Sequence, residues 1–322
     1  MSDTFAPNGS LPLVDEVLRD ELAHGDALIK TIAPILRHLL ANDEHSVFSD
    51  EIIARVRGML IDIARQLLDE LVEAAGTPDE RDHDPAWLHQ LVEGYVAHPA
   101  FLAHVHALAL EWQLTERLQA RLALDPVLSP LLQALIASSD PGMASSAMAL
   151  LAAQARFAQS QRRMQLTLTE LPADLLDTAL MGMRRFAAIK PDFAGIAEQA
   201  ERAVRSRYDE GRGRIGLIAR LVGAMGGGAT AALAAGHAGV AIFLSALAIA
   251  SGQNRDMAVL ATNEGQLARL ALALRAAGLQ PRMIEEQFVS LHPEVALPEG
   301  FDQLGSDRAA ALLSRSTAFP GV

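Results

Sequence analysis

The sequence predicts an all-α protein, with helix pairs stacked in layers as a HEAT-like or irregular helical array. Three observations support this. Carboxylate-Pro pairs recur at Asp84-Pro85, Asp125-Pro126 and Asp140-Pro141; the Asp side chain caps free N–H groups and Pro suits the first helical position. No Asn-Gly or Asp-Gly turn links two alternating runs, as a hairpin would require. Half of the 322 residues are apolar but only 4% are aromatic, a Leu- and Ala-rich usage that suits closely packed helices.

The elements follow in order. Ser10 caps a first short helix, Pro12 to His24, ended by Gly25. Asp26 caps a second that runs to Ala41 with a kink at Pro34. Ser49 opens the longest helix, to Ala75, stopped by Gly76 and Pro78. Its apolar stripe is Ile52, Val56, Met59, Leu60, Ile63, Leu67 and Leu71, with Asp62, Arg65 and Asp69 opposite, spaced for ion pairs. Packing within its own domain is the expected use of that stripe; a homodimer formed on it is the alternative. The polar segment Gly76 to Asp84 divides an acidic N-terminal helical region, 1–78, from a helical array, 84–291. Helices are expected at 84–97, 99–124, 126–138, 141–163, 172–188 and 191–209, each preceded by a Pro signal. Gln165 to Leu171 alternates like a strand but has no partner run.

No charge falls between Arg220 and Arg255. Gly226, Gly227 and Gly228 break one helix there, and Gly236 and Gly239 break the next. The strongly apolar run is Val240 to Ala250, 11 residues, too short for the roughly 20 needed to span a membrane. Val240, Phe243, Leu244 and Leu247 share one face, with Ile242 and Ile249 on the other. A helix apolar all round is a central core helix, so a membrane span is not expected. Helices Arg255–Thr262, Gln266–Ala277 and Pro281–Leu291 follow, then a Pro- and Gly-punctuated surface tail, 292–322.

The net charge of −12 is unevenly placed. Residues 1–150 hold 9 Lys and Arg against 23 Asp and Glu; the remainder hold 18 against 16. The acidic half repels nucleic acid and anionic lipid. The basic run Arg202, Arg205, Arg207, Arg212, Arg214 and Arg220 is the exception. Arg202, Arg205, Arg212, Arg214 and Arg220 are its candidate interaction residues, expected to be exposed near a helix C-terminus and offset by the acidic half. With no Cys, thiolate chemistry and sulfur-ligated zinc are excluded. The N-terminus lacks the basic region and apolar run of a secretory signal, and a cytoplasmic location is the simplest expectation.

Motif tests yield no chemistry. Gly211-Arg-Gly-Arg-Ile-Gly216 has the letters of the dinucleotide fingerprint but no leading strand and no acidic residue about 20 positions on. Gly223-Ala-Met-Gly-Gly-Gly228-Ala-Thr230 has the P-loop frame with Ala229 where Lys is required. His83, His89, His98, His104 and His106 cluster in sequence, but His104 and His106 point about 200° apart on a helix. Glu21-Leu-Ala-His24 lacks the second copy of a di-iron site. Surface and interface histidines are expected, with no metal and no cofactor. Ala248 to Leu260 has the rhythm of a helix-turn-helix, but Asp256 and Glu264 oppose DNA reading.

Phe243-Leu-Ser-Ala-Leu-Ala, Gly252-Gln-Asn-Arg-Asp-Met-Ala-Val and Leu270-Ala-Leu-Ala-Leu-Arg-Ala-Ala-Gly278-Leu resemble the C-terminal part of the bacterial family catalogued as domain of unknown function 2336. Leu171-Pro-Ala-Asp-Leu-Leu176 fits the same pattern. The resemblance implies an all-helical, HEAT-like cytoplasmic protein and supplies no catalytic residues. The leading functional expectation is a non-enzymatic interaction protein, regulatory or scaffolding, that binds a protein partner in a groove between stacked helices. The alternatives are a small-molecule binder or enzyme with a pocket lined by residues 215–250, and a peripheral nucleic-acid or membrane binder acting through Arg202–Arg220.

Overall fold

The computed structural model describes residues 14–41, 50–76, 83–190, 193 and 195–316. The caps at Ser10 and Ser49, the Pro12 and Pro191 starts and residues 77–82 of the polar segment lie outside the described residues. Among the described residues there is no strand, and the fold is all-α. The helices are α1 (Val14–Ala41), α2 (Asp50–Ala75), α3 (Pro85–Ala97), α4 (Pro99–Leu122), α5 (Pro130–Ile136), α6 (Pro141–Arg162), α7 (Ala173–Ala188), α8 (Ala197–Arg207), α9 (Arg214–Ala224), α10 (Ala235–Ala238), α11 (Val240–Ser251), α12 (Arg255–Leu260), α13 (Leu267–Ala276), α14 (Pro281–Leu291) and α15 (Ser306–Leu313). No described helix is long and apolar enough to cross a membrane.

Several starts follow the expected chemistry. Asp84 Oδ1 accepts from the Ala86 N–H at 2.8 Å, and Asp140 Oδ1 from the Gly142 N–H at 2.8 Å. At Asp125-Pro126 the expectation is corrected. Asp125 Oδ1 accepts from the Val127 and Leu128 N–H groups, closing only a turn. Helix α5 starts at Pro130, where Ser129 Oγ accepts from the Leu132 N–H at 3.2 Å.

The N-terminal pair of helices is also corrected: α1 runs unbroken through Gly25 and Asp26. Gln266 Nε2 donates to the Gly25 carbonyl at 2.7 Å, and a Cβ on residue 25 would meet Gln266 Oε1 at 2.7 Å. Glycine therefore serves close approach at this position. Asp26 lies inside α1, not at a helix start; it is buried in an ion pair with Arg269 and accepts from Ser316 Oγ at 2.8 Å.

Helix α2 buries its whole stripe, from Ile52 to Leu71, against α3, α4, α7 and α8. That packing leaves no apolar stripe on it for a second copy. On the opposite side Asp62 lies 4.0 Å from Arg65, but its stronger contacts are the Leu166 N–H at 3.1 Å and Gln66 Nε2 at 2.8 Å. Gln66 also bonds the Leu166 carbonyl and the Leu168 N–H. The strand-like run 165–171 thus pairs with side chains of α2, not with another strand, and ends in a 3-10 turn at Leu168–Glu170.

Helix α4 sits centrally, packed against α1, α2 and α3 and against α11 and α12. Helix α11 packs on α4, α9, α12 and α13. All of its side chains from Val240 to Ala248 are buried; of the expected apolar run, Ile249 and Ala250 are exposed. Gly226 and Gly239 take positive φ and break the chain as expected, while Gly236 lies inside α10. Contacts of α1 with α13 and of α2 with α8 join elements far apart in sequence. A solenoid contacts only neighbouring repeats, so the array is the irregular kind, with buried apolar side chains from Leu18 to Leu313 in one core. The segment after Leu291 departs from the surface-tail expectation. Phe301 and Leu304 are buried, and α15 packs Ala309, Leu312 and Leu313 against α13.

Candidate functional site

The basic run does not form one face. On α8, Arg202 lies 3.9 Å from Glu198, and Arg205 bonds Glu201 at 2.9 Å and Asp177 at 2.7 Å. Arg207, in the same run, pairs with Glu70 of α2. Arg212 and Arg220 are exposed. Arg214 contradicts the expectation of exposure outright: its side chain is 0% exposed. It is the first residue of α9 and its side chain turns inward, away from the exposed Arg212.

Arg214 belongs to a buried ion cluster. Its Nη1 and Nη2 donate to Glu111 Oε1 and Oε2 at 2.6 and 3.3 Å, its Nε donates to Glu170 Oε2 at 3.0 Å, and its guanidinium lies 3.5 Å from the centre of the Phe157 ring. Arg255 completes the cluster. Its Nη2 is 2.9 Å from Glu111 Oε1 without the angle of a hydrogen bond, and its Nε donates to Ser245 Oγ at 3.0 Å. Burial alone would raise the Glu111 pKa, but Arg214 and Arg255 outweigh it and hold the carboxyl at about 2. Burial works against Arg214 too, and Glu111 and Glu170 reverse it, so the guanidinium holds its proton more tightly than usual. Two cations and two carboxylates cancel, which is what a dry interior requires.

The histidine expectation needs correction as well. His83, His104 and His106 are buried. Their opposed directions on α4 are as the helical period dictates. His104 Nδ1 bonds Asp256 at 3.0 Å, while His106 lines a groove beside α1. Burial lowers His104, but the Asp256 carboxylate more than offsets this and its pKa is raised. Burial pushes His106 down to about 4, against a weaker pull from Asp256. Among the described residues no three His, Asp or Glu side chains are grouped to hold a metal ion. Arg255 points inward and Met257 to Leu260 are buried, so α12 has no face to lay in a DNA groove.

Two adjoining clefts open beside the cluster. The larger, about 490 Å³, is bounded by His104, Leu171, Glu210, the first turn of α9 and Asn254 to Asp256. The smaller, about 280 Å³, is bounded by Arg156, Ser160, Thr167, Arg207, Asp209 and Arg212. They share Thr169, Glu170, Gly213 and Arg214 as a common wall. The Gly-Arg-Gly-Arg-Ile-Gly motif builds that wall: a Cβ on Gly216 would lie 2.4 Å from the Glu210 carbonyl, and one on Gly213 3.1 Å from that of Thr169. Only glycines let the 209–212 turn fold onto α9. Of residues 215–250, Ile215, Gly216 and Ala219 reach the larger cleft; most of the rest is core.

No family model, curated protein or solved structure matches this chain. Function must therefore be argued from its own surfaces. Besides the clefts, there is a groove of about 420 Å³ between α1 and α4. One wall is Ile29, Ile32, Ala33 and Leu36; the other is Pro99, Ala100 and Ala103, with His106 and Leu260 also lining it. Leu28 and Ile35 share a helix face with Ile32 and are exposed, at 40% and 53%.

Proposed function

We propose that this chain is a non-enzymatic helical interaction protein, regulatory or scaffolding, which seats an amphipathic helix of a protein partner in the groove between α1 and α4. The observation that carries this reading is the apolar lining of that groove, continued outward by Leu28 and Ile35. An apolar face in such a groove is read at helical spacing by a partner's i, i+3 and i+4 side chains. His106 adds no charge there above about pH 4, because burial keeps it neutral. The reading includes a cytoplasmic location and the family resemblance carried by Phe243–Ala248, Gly252–Val259 and Leu270–Leu279. A nucleic-acid or membrane surface is the weaker reading, because Arg202, Arg205 and Arg207 are met by carboxylates and Arg214 is buried.

The test is affinity isolation with the full chain against Ile35→Asp and Ala100→Asp variants, read by quantitative mass spectrometry. Both positions are exposed, so stability should change by only about 0.5 kcal/mol. A protein held by wild type and lost by both variants supports the groove. Equal capture by all three sinks it. Sedimentation of wild type as a dimer and of both variants as monomers would make the occupant a second copy of the chain.

A further inference from the structure

We infer that the two adjoining clefts form one binding site for a soluble phosphate ester, with the phosphate in the smaller cleft and a polar organic group of sugar or nucleoside size in the larger. The inference is independent of the α1–α4 groove.

Charge places the phosphate. Arg214 is neutralised by Glu111 and Glu170, and Arg207 meets Glu70. Arg156 and Arg212 have no carboxylate partner among the described residues; of the two carboxylates that line the smaller cleft, Glu170 is held by Arg214, which leaves Asp209. A chain of net charge −12 therefore holds a local positive excess inside a concave wall. A cleft lined by one sign of charge concentrates the field and draws in the opposite sign. Two guanidinium forks also match the oxygens of a phosphate dianion better than point charges would. The Ser160, Thr167 and Thr169 hydroxyls line the same cleft and can donate or accept.

The common wall adds main-chain donors. Gly213 precedes α9 and offers no side-chain cap. The N–H groups of Arg214, Ile215 and Gly216 have no acceptor among the described residues; Arg214 borders both clefts, and Ile215 and Gly216 border the larger one where the two adjoin. A helix start with free N–H groups and a positive dipole end favours an anion. The glycine motif thus performs part of what its letters suggest: its glycines allow close approach at a helix N-terminus, though a 3-10 turn, not a strand, delivers the chain.

A second, independent observation lies in the larger cleft. The His104 side chain is 8% exposed and its Nε2 has no hydrogen-bond partner, while Nδ1 is held by Asp256. Arg255 Nη1 is likewise buried without a partner. An unpaired buried polar atom costs about 1–3 kcal/mol, and both residues line this cleft. Hydroxyl or carbonyl groups on the organic part of the ester would satisfy them. The volume of about 490 Å³ is within the range of small-ligand pockets.

The experiment is isothermal titration calorimetry on the full chain, with ribose 5-phosphate, adenosine monophosphate, inorganic phosphate, ribose and adenosine as probes. The variants are Arg156→Ala/Arg212→Ala and, as control, Arg202→Ala, which lies on α8 away from both clefts. At least one ester should bind wild type, inorganic phosphate more weakly, and the matching dephosphorylated compound at least tenfold more weakly. The double variant should lose at least tenfold in affinity and keep the wild-type melting temperature; Arg202→Ala should bind as wild type does. Absence of binding by both esters at millimolar concentration overturns the inference. So does equal binding by the double variant, an equal loss in Arg202→Ala, or binding to phosphatidic acid vesicles with none to the soluble esters.

Discussion

Helix α11 and the Glu111 cluster lie in the same interior and are built on opposite physics. Val240 to Ala248 are buried side chains that, Ser245 apart, bring no polar group with them. Their stabilisation grows with apolar area, does not depend on a titrating group and is not screened by salt. Glu111 and Arg214 are as deeply buried and Arg255 is mostly so, but each has lost hydration and is tolerable only while its partner is present. The two regions meet at Ser245, whose hydroxyl accepts from Arg255. The apolar helix tolerates loss of a few methyl groups in proportion to the cavity left. The charged cluster fails as a unit when one member is removed, and its value is the fixed position it gives the cleft wall.

The comparison can be broken most severely from the apolar side. Leu247 is fully buried, and Leu247→Asp puts an unpaired charge among apolar groups, a change too costly for a marginally stable fold. Loss of the cooperative thermal transition is expected, whereas Leu247→Ala should lose only about 2–5 kcal/mol. A Leu247→Asp protein that melts like wild type would mean that α11 is not core.

Next comes the charged side. Glu111→Gln leaves Arg214 and Arg255 without their shared counter-charge, and a loss of about 3–5 kcal/mol in urea denaturation is expected. A loss under about 1 kcal/mol, the scale of an exposed pair, would show that water reaches the cluster.

The effects of pH come from three buried groups of α4, beside α11, and they differ in sign. Glu111 is held at about 2 against an ordinary 4.5, so its contribution is complete above pH 4.5 and is lost as pH falls toward 2. His106 is lowered from 6.5 to about 4; the unfolded chain takes up its proton first, and stability falls as pH drops from 6.5 to 4. His104 acts the other way: its pKa is raised, so its contribution is complete below pH 6.5 and is lost as pH rises through the raised value. Urea midpoints across pH 3 to 8 should show a flatter acid limb below pH 4.5 in Glu111→Gln. An unchanged limb would assign acid sensitivity to other carboxylates.

The same contrast explains what could be read from the residues. Helix α11 was legible because its signal is contiguous: a run of apolar residues between glycines needs no knowledge of the rest of the chain. Asp84 and Asp140 were legible as caps because their partners lie two residues away. The opposed directions of His104 and His106 followed from the helical period alone. The Glu111 cluster was not legible, since Arg214 finds Glu111 across 103 positions and Glu170 across 44. Asp26 misled for the same reason. It has the chemistry of a cap, but Arg269, 243 positions on, uses the side chain first. The smaller cleft combines both cases: its glycines are a local motif, while Arg156 and Arg212 meet only in the folded chain.

The claim that the apolar core supports the fold and the ion cluster positions the cleft is tested most directly by replacing the cluster whole. A Glu111→Leu/Glu170→Leu/Arg214→Met/Arg255→Met variant removes both carboxylates and both guanidiniums of the cluster and keeps similar volume. Its unfolding free energy by urea denaturation should lie within about 1 kcal/mol of wild type or above it, because well-packed apolar groups replace a buried ion group at little or no cost. Glu111→Leu alone should still lose about 3–5 kcal/mol. A quadruple variant less stable than that single one would contradict the account and make the ion cluster itself a support of the fold.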